Sequence, residues 1–124
     1  MKVIHTASAP AAVGPYSQAI VSGGLVYTSG SIPLSPETGD VVGATYAEQA
    51  AAAISNLAAI LAAAGSSLDR VIKTTCFLTD IRAFAEFNAV YAESFTGKPA
   101  RSCVEVSALP KGVLVEIEAV AEVI

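Results

Sequence analysis

Val113-Leu114-Val115-Glu116-Ile117-Glu118-Ala119-Val120-Ala121-Glu122-Val123-Ile124 closes the chain with a strict two-residue alternation. Its odd positions are all apolar, so the strand that this pattern predicts turns one face toward a core. Its even positions mix Leu114, Val120 and Ile124 with three carboxylates, so the opposite face is only partly polar. A second strand, over Val71–Leu78, is rich in β-branched and aromatic residues, and neither of its faces is strongly polar. Val71, Thr75 and Phe77 fall on one side, and Ile72, Thr74, Cys76 and Leu78 on the other. Two helices cover one face of such a sheet. The uncovered face is too apolar for a comfortable monomer, so the expectation is that it is buried against other copies of the chain, with carboxylates beside the interface.

The helices are legible on either side of the Val71 strand. Thr45-Tyr46-Ala47-Glu48 is a capping box, in which the Thr hydroxyl takes the Glu48 amide and the Glu48 carboxylate reaches back to the Thr45 amide. Ala50, Ile54, Leu57 and Leu61 then recur at helical spacing, and Gly65 suits a left-handed C-cap, which predicts a helix over 46–64. Asp80 is placed to cap a second helix whose Ile81, Phe84, Asn88, Tyr91 and Phe95 face the sheet, ending before Gly97 and Pro99. Upstream, residues 19–21 and 25–28 flank Ser22-Gly23-Gly24 and read as a β-hairpin, followed by a Pro-, Gly- and Ser-rich loop over 30–40. Downstream, residues 101–106 and 113–123 read as strands joined through Leu109-Pro110-Lys111-Gly112. No repeat, linker or charge block divides these elements, so residues 1–124 read as a single α+β domain.

Composition narrows the function. Hydrophobic residues make up 53% of the 124, enough for a real core. The run over 50–64 is broken by Ser55 and Asn56 and is shorter than the roughly 20 residues a bilayer requires. Seven basic against eleven acidic residues give a net charge of -4, which leaves no basic surface for nucleic acid or anionic lipid. Met1-Lys2-Val3-Ile4-His5 lacks a secretory pattern, so the expected location is cytoplasmic. Cys76 and Cys103 are far apart and form no CxxC, which favours reduced thiols over a disulfide framework or a zinc site. His5 is the single histidine and has no nucleophile motif near it. Without GxGxxG, GxxxxGK[ST], HExxH or an EF-hand loop, the chemistry is expected to need no cofactor and no metal.

What remains is Arg101 at the start of a strand, followed by Ser102-Cys103, with Glu116 on the next strand. Such an arginine is ordinarily solvated or ion-paired. Beside a largely apolar sheet face, however, its guanidinium fork would hold a carboxylate bidentately, which makes a small carboxylic acid a plausible ligand. Glu118 shares a strand face with Glu116 and competes with it for any role in holding water.

Five segments carry a family resemblance: Gly14-Pro15-Tyr16-Ser17-Gln18-Ala19, Thr28-Ser29-Gly30-Ser31-Ile32-Pro33, Pro99-Ala100-Arg101-Ser102-Cys103-Val104-Glu105-Val106, Leu109-Pro110-Lys111 and Val115-Glu116-Ile117-Glu118-Ala119. Together they resemble the Rid (YjgF/YER057c) family of enamine/imine deaminases over almost the whole chain. The resemblance implies a chorismate-mutase-like fold, a six-stranded mixed sheet with two helices on one face, assembled as a homotrimer with three clefts between subunits. It implies hydrolysis of 2-enamine and 2-imine acids, such as 2-aminoacrylate, to 2-keto acids and ammonia. By motif position, Arg101 would bind the substrate carboxylate with the Gly30 and Cys103 backbone amides and the Ser29 hydroxyl. Glu116 would orient the attacking water, and Tyr16 would line the pocket. Ser31 stands where the family usually has Gln, and Thr96-Gly97-Lys98 is a shortened connection; both bear on substrate preference. Two other readings stay open at this point, a keto-acid sensor without turnover and an RNA-cleaving translation inhibitor, the latter opposed by the acidic balance.

Overall fold

A computed structural model covering residues 1–124 contains, in chain order, β1 (Lys2–Ile4), β2 (Ala19–Ser22), β3 (Leu25–Thr28), α1 (Tyr46–Ala63), β4 (Val71–Leu78), α2 (Phe84–Ser94), β5 (Ala100–Glu105) and β6 (Val115–Glu122). The six strands form one sheet in the order β1-β2-β3-β6-β4-β5. Only the β4–β5 pair is parallel; the other pairs are antiparallel, so the sheet is mixed. Both helices lie on one face. The α+β architecture expected from the sequence is therefore the one observed.

The alternation in β6 translates directly into burial. Val115, Ile117 and Ala121 are fully buried and Ala119 nearly so, while Leu114, Glu116, Glu118 and Val120 on the other face are half-buried. Burying Val115 and Ile117 in this way contributes about 1.5–3 kcal/mol each, and the smaller alanines contribute less. Helix α1 starts at the predicted capping box, with Glu48 N–H donating to Thr45 Oγ1 (3.1 Å) and Thr45 N–H donating to Glu48 Oε1 (3.2 Å). It ends in a Schellman arrangement: Ser66 N–H donates to the Leu61 carbonyl (2.8 Å) and Gly65 N–H to that of Ala62 (3.1 Å), with Gly65 at φ 80°.

Four features depart from the sequence reading. First, a bulge between Val71 and Lys73 breaks the simple alternation of β4. It puts Val71 on the helix-covered face with Thr74, Cys76 and Leu78 and leaves Ile72 exposed. Second, the inward face of α2 is rotated. Phe87, fully buried, anchors the helix with Tyr91, while Ile81 sits in a preceding 3-10 turn and, like Phe84, is exposed. Asp80 caps that turn through Arg82 N–H (2.9 Å) and not α2 itself. Third, the sequence reading did not include β1, which is too short to show a period; it pairs with β2, Val3 opposite Ile20, and buries Ile4 in the core. Fourth, β5 and β6 are not neighbours. β4 lies between them, so the segment through Leu109-Pro110-Lys111-Gly112 is a crossover past β4 and not a link between paired strands. The loop after β3 is clamped to the sheet by a lone bridge, Ser31 opposite Ile117, and by Ser31 Oγ donating to the Ala53 carbonyl of α1 (2.7 Å).

Candidate active site

The Ser31–Ile117 bridge decides where Glu116 meets its neighbours. Ser31 N–H donates to the Ile117 carbonyl (2.7 Å) and Ile117 N–H to the Ser31 carbonyl (3.0 Å), which presses Gly30 against the residue before Ile117. A methyl group on Gly30 would stand only 2.6 Å from the Glu116 carboxyl carbon, so the absent side chain is the space the carboxylate occupies. Around this point Tyr16, Ser29, Gly30, Ile32, Pro110 and Glu116 line a cleft of about 370 Å3. Ser29 donates its hydroxyl to the Ser17 carbonyl and its N–H to the Gln18 carbonyl (2.9 Å), tying down the turn that carries half-exposed Tyr16. A second, smaller hollow of about 60 Å3 lies behind Tyr16, Ser29 and Gly30, closed by Leu34 and Ile60.

Arg101 is elsewhere. It sits in register with Thr74 on the helix-covered side of the sheet, whereas Glu116 is in register with Phe77 on the uncovered side. The guanidinium carbon stands 4.7 Å from the Tyr91 ring centre and 5.3 Å from that of Phe84, and Nη1 donates to Asn88 Oδ1 (2.8 Å). It belongs to a groove of about 490 Å3 lined by residues that include Asn88, Tyr91, Thr96, Lys98 and Pro99. The expectation of Arg101 and Glu116 on adjacent strands of one chain is thus corrected: β4 separates them and they occupy opposite faces. The physical reason is the parallel pairing of β5 with the far side of β4, which two-residue alternation does not reveal.

The electrostatics differ between the two halves. Burial, reinforced by the neighbouring Glu118 charge, pushes the Glu116 carboxyl above its ordinary 4.5, and no cation offsets it. Glu118 opens into a separate hollow with Tyr27, Thr28, Lys73 and Thr75, so the two carboxylates that competed on the sequence line different hollows, although the charge of one still acts on the other. Arg101 has no carboxylate partner; the single ion pair of the chain is Arg82–Asp80 (2.7 Å). Cys103 is half-buried and in register with fully buried Cys76, and both are free thiols. Burial raises the Cys103 thiol and pushes Cys76 up to about 12, which suppresses thiolate chemistry at either. No group of three or more His, Cys, Asp or Glu side chains is gathered to hold a metal ion, and no helix is long and apolar enough to cross a membrane.

Of the residues singled out in the sequence, Tyr16, Ser29, Gly30 and Glu116 are therefore brought together, while Arg101 and Cys103 are carried on edge strand β5. Ile32 and Pro110 complete the Glu116 cleft; in the sequence they read as loop and connection, and nothing but their place in the motifs marks them. Replacing Gly30 by Ala is expected to displace the Glu116 carboxylate and, if that group acts in turnover, to lower kcat about a hundredfold. The melting temperature should change little, because Gly30 does not occupy the left-handed region. Steady-state kinetics and thermal melting of the variant check this together.

Comparison with known proteins places the whole chain. The Endoribonuclease L-PSP family model matches residues 6–123. The 2-iminobutanoate/2-iminopropanoate deaminase of Escherichia coli is 48% identical over 124 residues, covering 97% of this chain and 96% of that protein. The proposed regulator AldR of Lactococcus lactis is 52% identical, covering 99% and 98%. The crystal structure of E. coli TdcF with bound serine superposes with a TM-score of 0.93 at 45% identity, covering 98% of each chain. A match of this extent shows that the protein belongs to the Rid/YjgF family, the Endoribonuclease L-PSP family that also includes the RutC proteins.

Proposed function

We propose that the chain hydrolyses small 2-imino and 2-enamino acids to 2-keto acids and ammonia, in clefts that form where copies of it meet in a homotrimer. The observation that carries this reading is the Glu116 carboxyl, half-buried against Gly30 with a raised affinity for protons, in a cleft that contains no cation of its own. Arg101 supplies the complementary half: an uncompensated guanidinium on an edge strand, able to meet the Glu116 cleft of a second copy. Edge strand β5 also presents backbone groups on its open side, which suits docking of another chain or of a ligand carboxylate. Similarity to the E. coli deaminase, and the serine held by TdcF, support a small amino-acid-derived ligand.

The chemistry then needs little beyond positioning. Arg101 fixes the substrate carboxylate bidentately, with the Ser29, Gly30 and Cys103 positions nearby. Glu116 accepts a proton from water as its oxygen bonds to the imine carbon, giving a carbinolamine. That proton passes to the imine nitrogen, and the carbinolamine's hydroxyl proton follows it by way of Glu116 as the C–N bond breaks and the C=O bond forms, so water and imine become keto acid and ammonia. A nucleic-acid substrate is disfavoured by the net charge of -4. In an assay coupled to a dehydratase that releases 2-aminoacrylate, Arg101→Ala is expected to lose keto-acid formation by about a hundredfold or more, since two charge-assisted hydrogen bonds vanish. Equal keto-acid release by Arg101→Ala and wild type would sink the reading. Binding of pyruvate without any acceleration of imine decay by wild type would favour a sensor instead.

A further inference from the structure

On the predicted sheet-facing side of α2, Asn88 is the one polar residue among Phe84, Tyr91 and Phe95. The fold gives it a specific task. Its Oδ1 accepts from Arg101 Nη1 at 2.8 Å, while the rings of Tyr91 and Phe84 flank the guanidinium at 4.7 and 5.3 Å. The Tyr91 ring is itself fixed, stacked on Phe95 at 4.3 Å between centroids and with its hydroxyl 2.7 Å from that of fully buried Thr74. A guanidinium is normally held in place by a carboxylate, which neutralises it. Here a neutral amide and two ring faces do the holding. Lys98, lining the same groove, adds a second cation and no anion.

We propose that Asn88 is a positioning residue for carboxylate binding. It fixes the orientation of Arg101 with a single hydrogen bond and leaves both its charge and its remaining N–H donors for the carboxylate of an incoming 2-imino or 2-keto acid. This inference rests on Arg101 being the carboxylate-binding group and adds why that group stays available: a carboxylate at position 88 would make a stronger bond to Arg101 and would cancel the charge the ligand needs.

Asn88→Asp separates this role from a merely structural one. Asp is nearly isosteric with Asn and offers an acceptor in the same place, so the hydrogen bond and the melting temperature are expected to survive. Pyruvate affinity, measured by titration calorimetry on the assembled protein, should fall about 10- to 100-fold, with KM rising and kcat changing less. Wild-type affinity in Asn88→Asp, alongside lost binding in Arg101→Ala, overturns the proposal and leaves the deaminase reading intact. Wild-type pyruvate binding by Arg101→Ala overturns the deaminase reading and this inference with it. If Asn88→Asp does not fold, Asn88→Ala is judged the same way: it removes the anchor and should weaken pyruvate binding several-fold, and unchanged affinity overturns the proposal.

Discussion

Mixed in equal amounts and refolded together, Arg101→Ala and Glu116→Gln chains are expected to recover about one quarter of wild-type turnover, although each alone is inactive. The expectation follows from the positions of the two side chains. Within one chain they lie on opposite faces of the sheet, on strands separated by β4, so no side-chain movement joins them. If neighbouring copies in a ring each contribute one half, a cleft is complete when its arginine comes from a Glu116→Gln chain and its glutamate from an Arg101→Ala chain. Random assembly from an equal mixture produces that pairing in about one cleft in four. Keto-acid release measures the recovery, and native mass spectrometry reports whether trimers formed. A mixture that forms mixed trimers and stays inactive would remove the shared cleft.

Replacing Glu116 by Gln is expected to lower kcat by about 10²- to 10⁴-fold, the usual contribution of a positioned proton acceptor, and at the same time to stabilise the fold at neutral pH. Burial and Glu118 raise the folded-state carboxyl above 4.5, so between that value and the raised one the folded chain binds a proton the unfolded chain has released. Stability therefore falls as pH rises through this window and stays at its lower level above it. Gln carries no such penalty. Its melting temperature should exceed that of wild type at pH 7, and the gap should close as pH falls toward 4.5. The activity of wild type should rise across the same window, because deprotonated Glu116 is the form that takes a proton from water. Glu118→Gln, altering a different hollow, is expected to keep its turnover. Wild-type turnover in Glu116→Gln, or a melting temperature below wild type at pH 7, contradicts this account.

Legibility in the sequence followed the range of the interactions. The β6 alternation, the Thr45–Glu48 box and the Gly65 cap are set by residues within one or two turns of each other, and each appears in the structure as read. The bulge at Ile72 and the rotation of α2 toward Phe87 were not legible. Both are settled by packing against α1 and β6, and Phe87 lies off the chosen face by one position in a helix where apolar residues occupy several faces. For the site, the motifs gave Tyr16, Ser29, Gly30, Arg101, Cys103 and Glu116, and the resemblance supplied roles for them. What they lacked was that Gly30 and Glu116 form one half while Arg101, steadied by Asn88, belongs to the other.

Period and local capping by themselves determined that this chain makes a sheet with one strongly apolar face, two helices to cover it, and a carboxylate row on the reverse. The tertiary structure decided strand order, and with it which side chains share a space. Inserting β4 between β5 and β6 moves Arg101 away from Glu116, while a two-hydrogen-bond bridge at Ser31 brings in Gly30 from far along the chain. Strand order depends on long-range pairing, in which many registers satisfy the same alternation, and only the packing of the whole core selects among them.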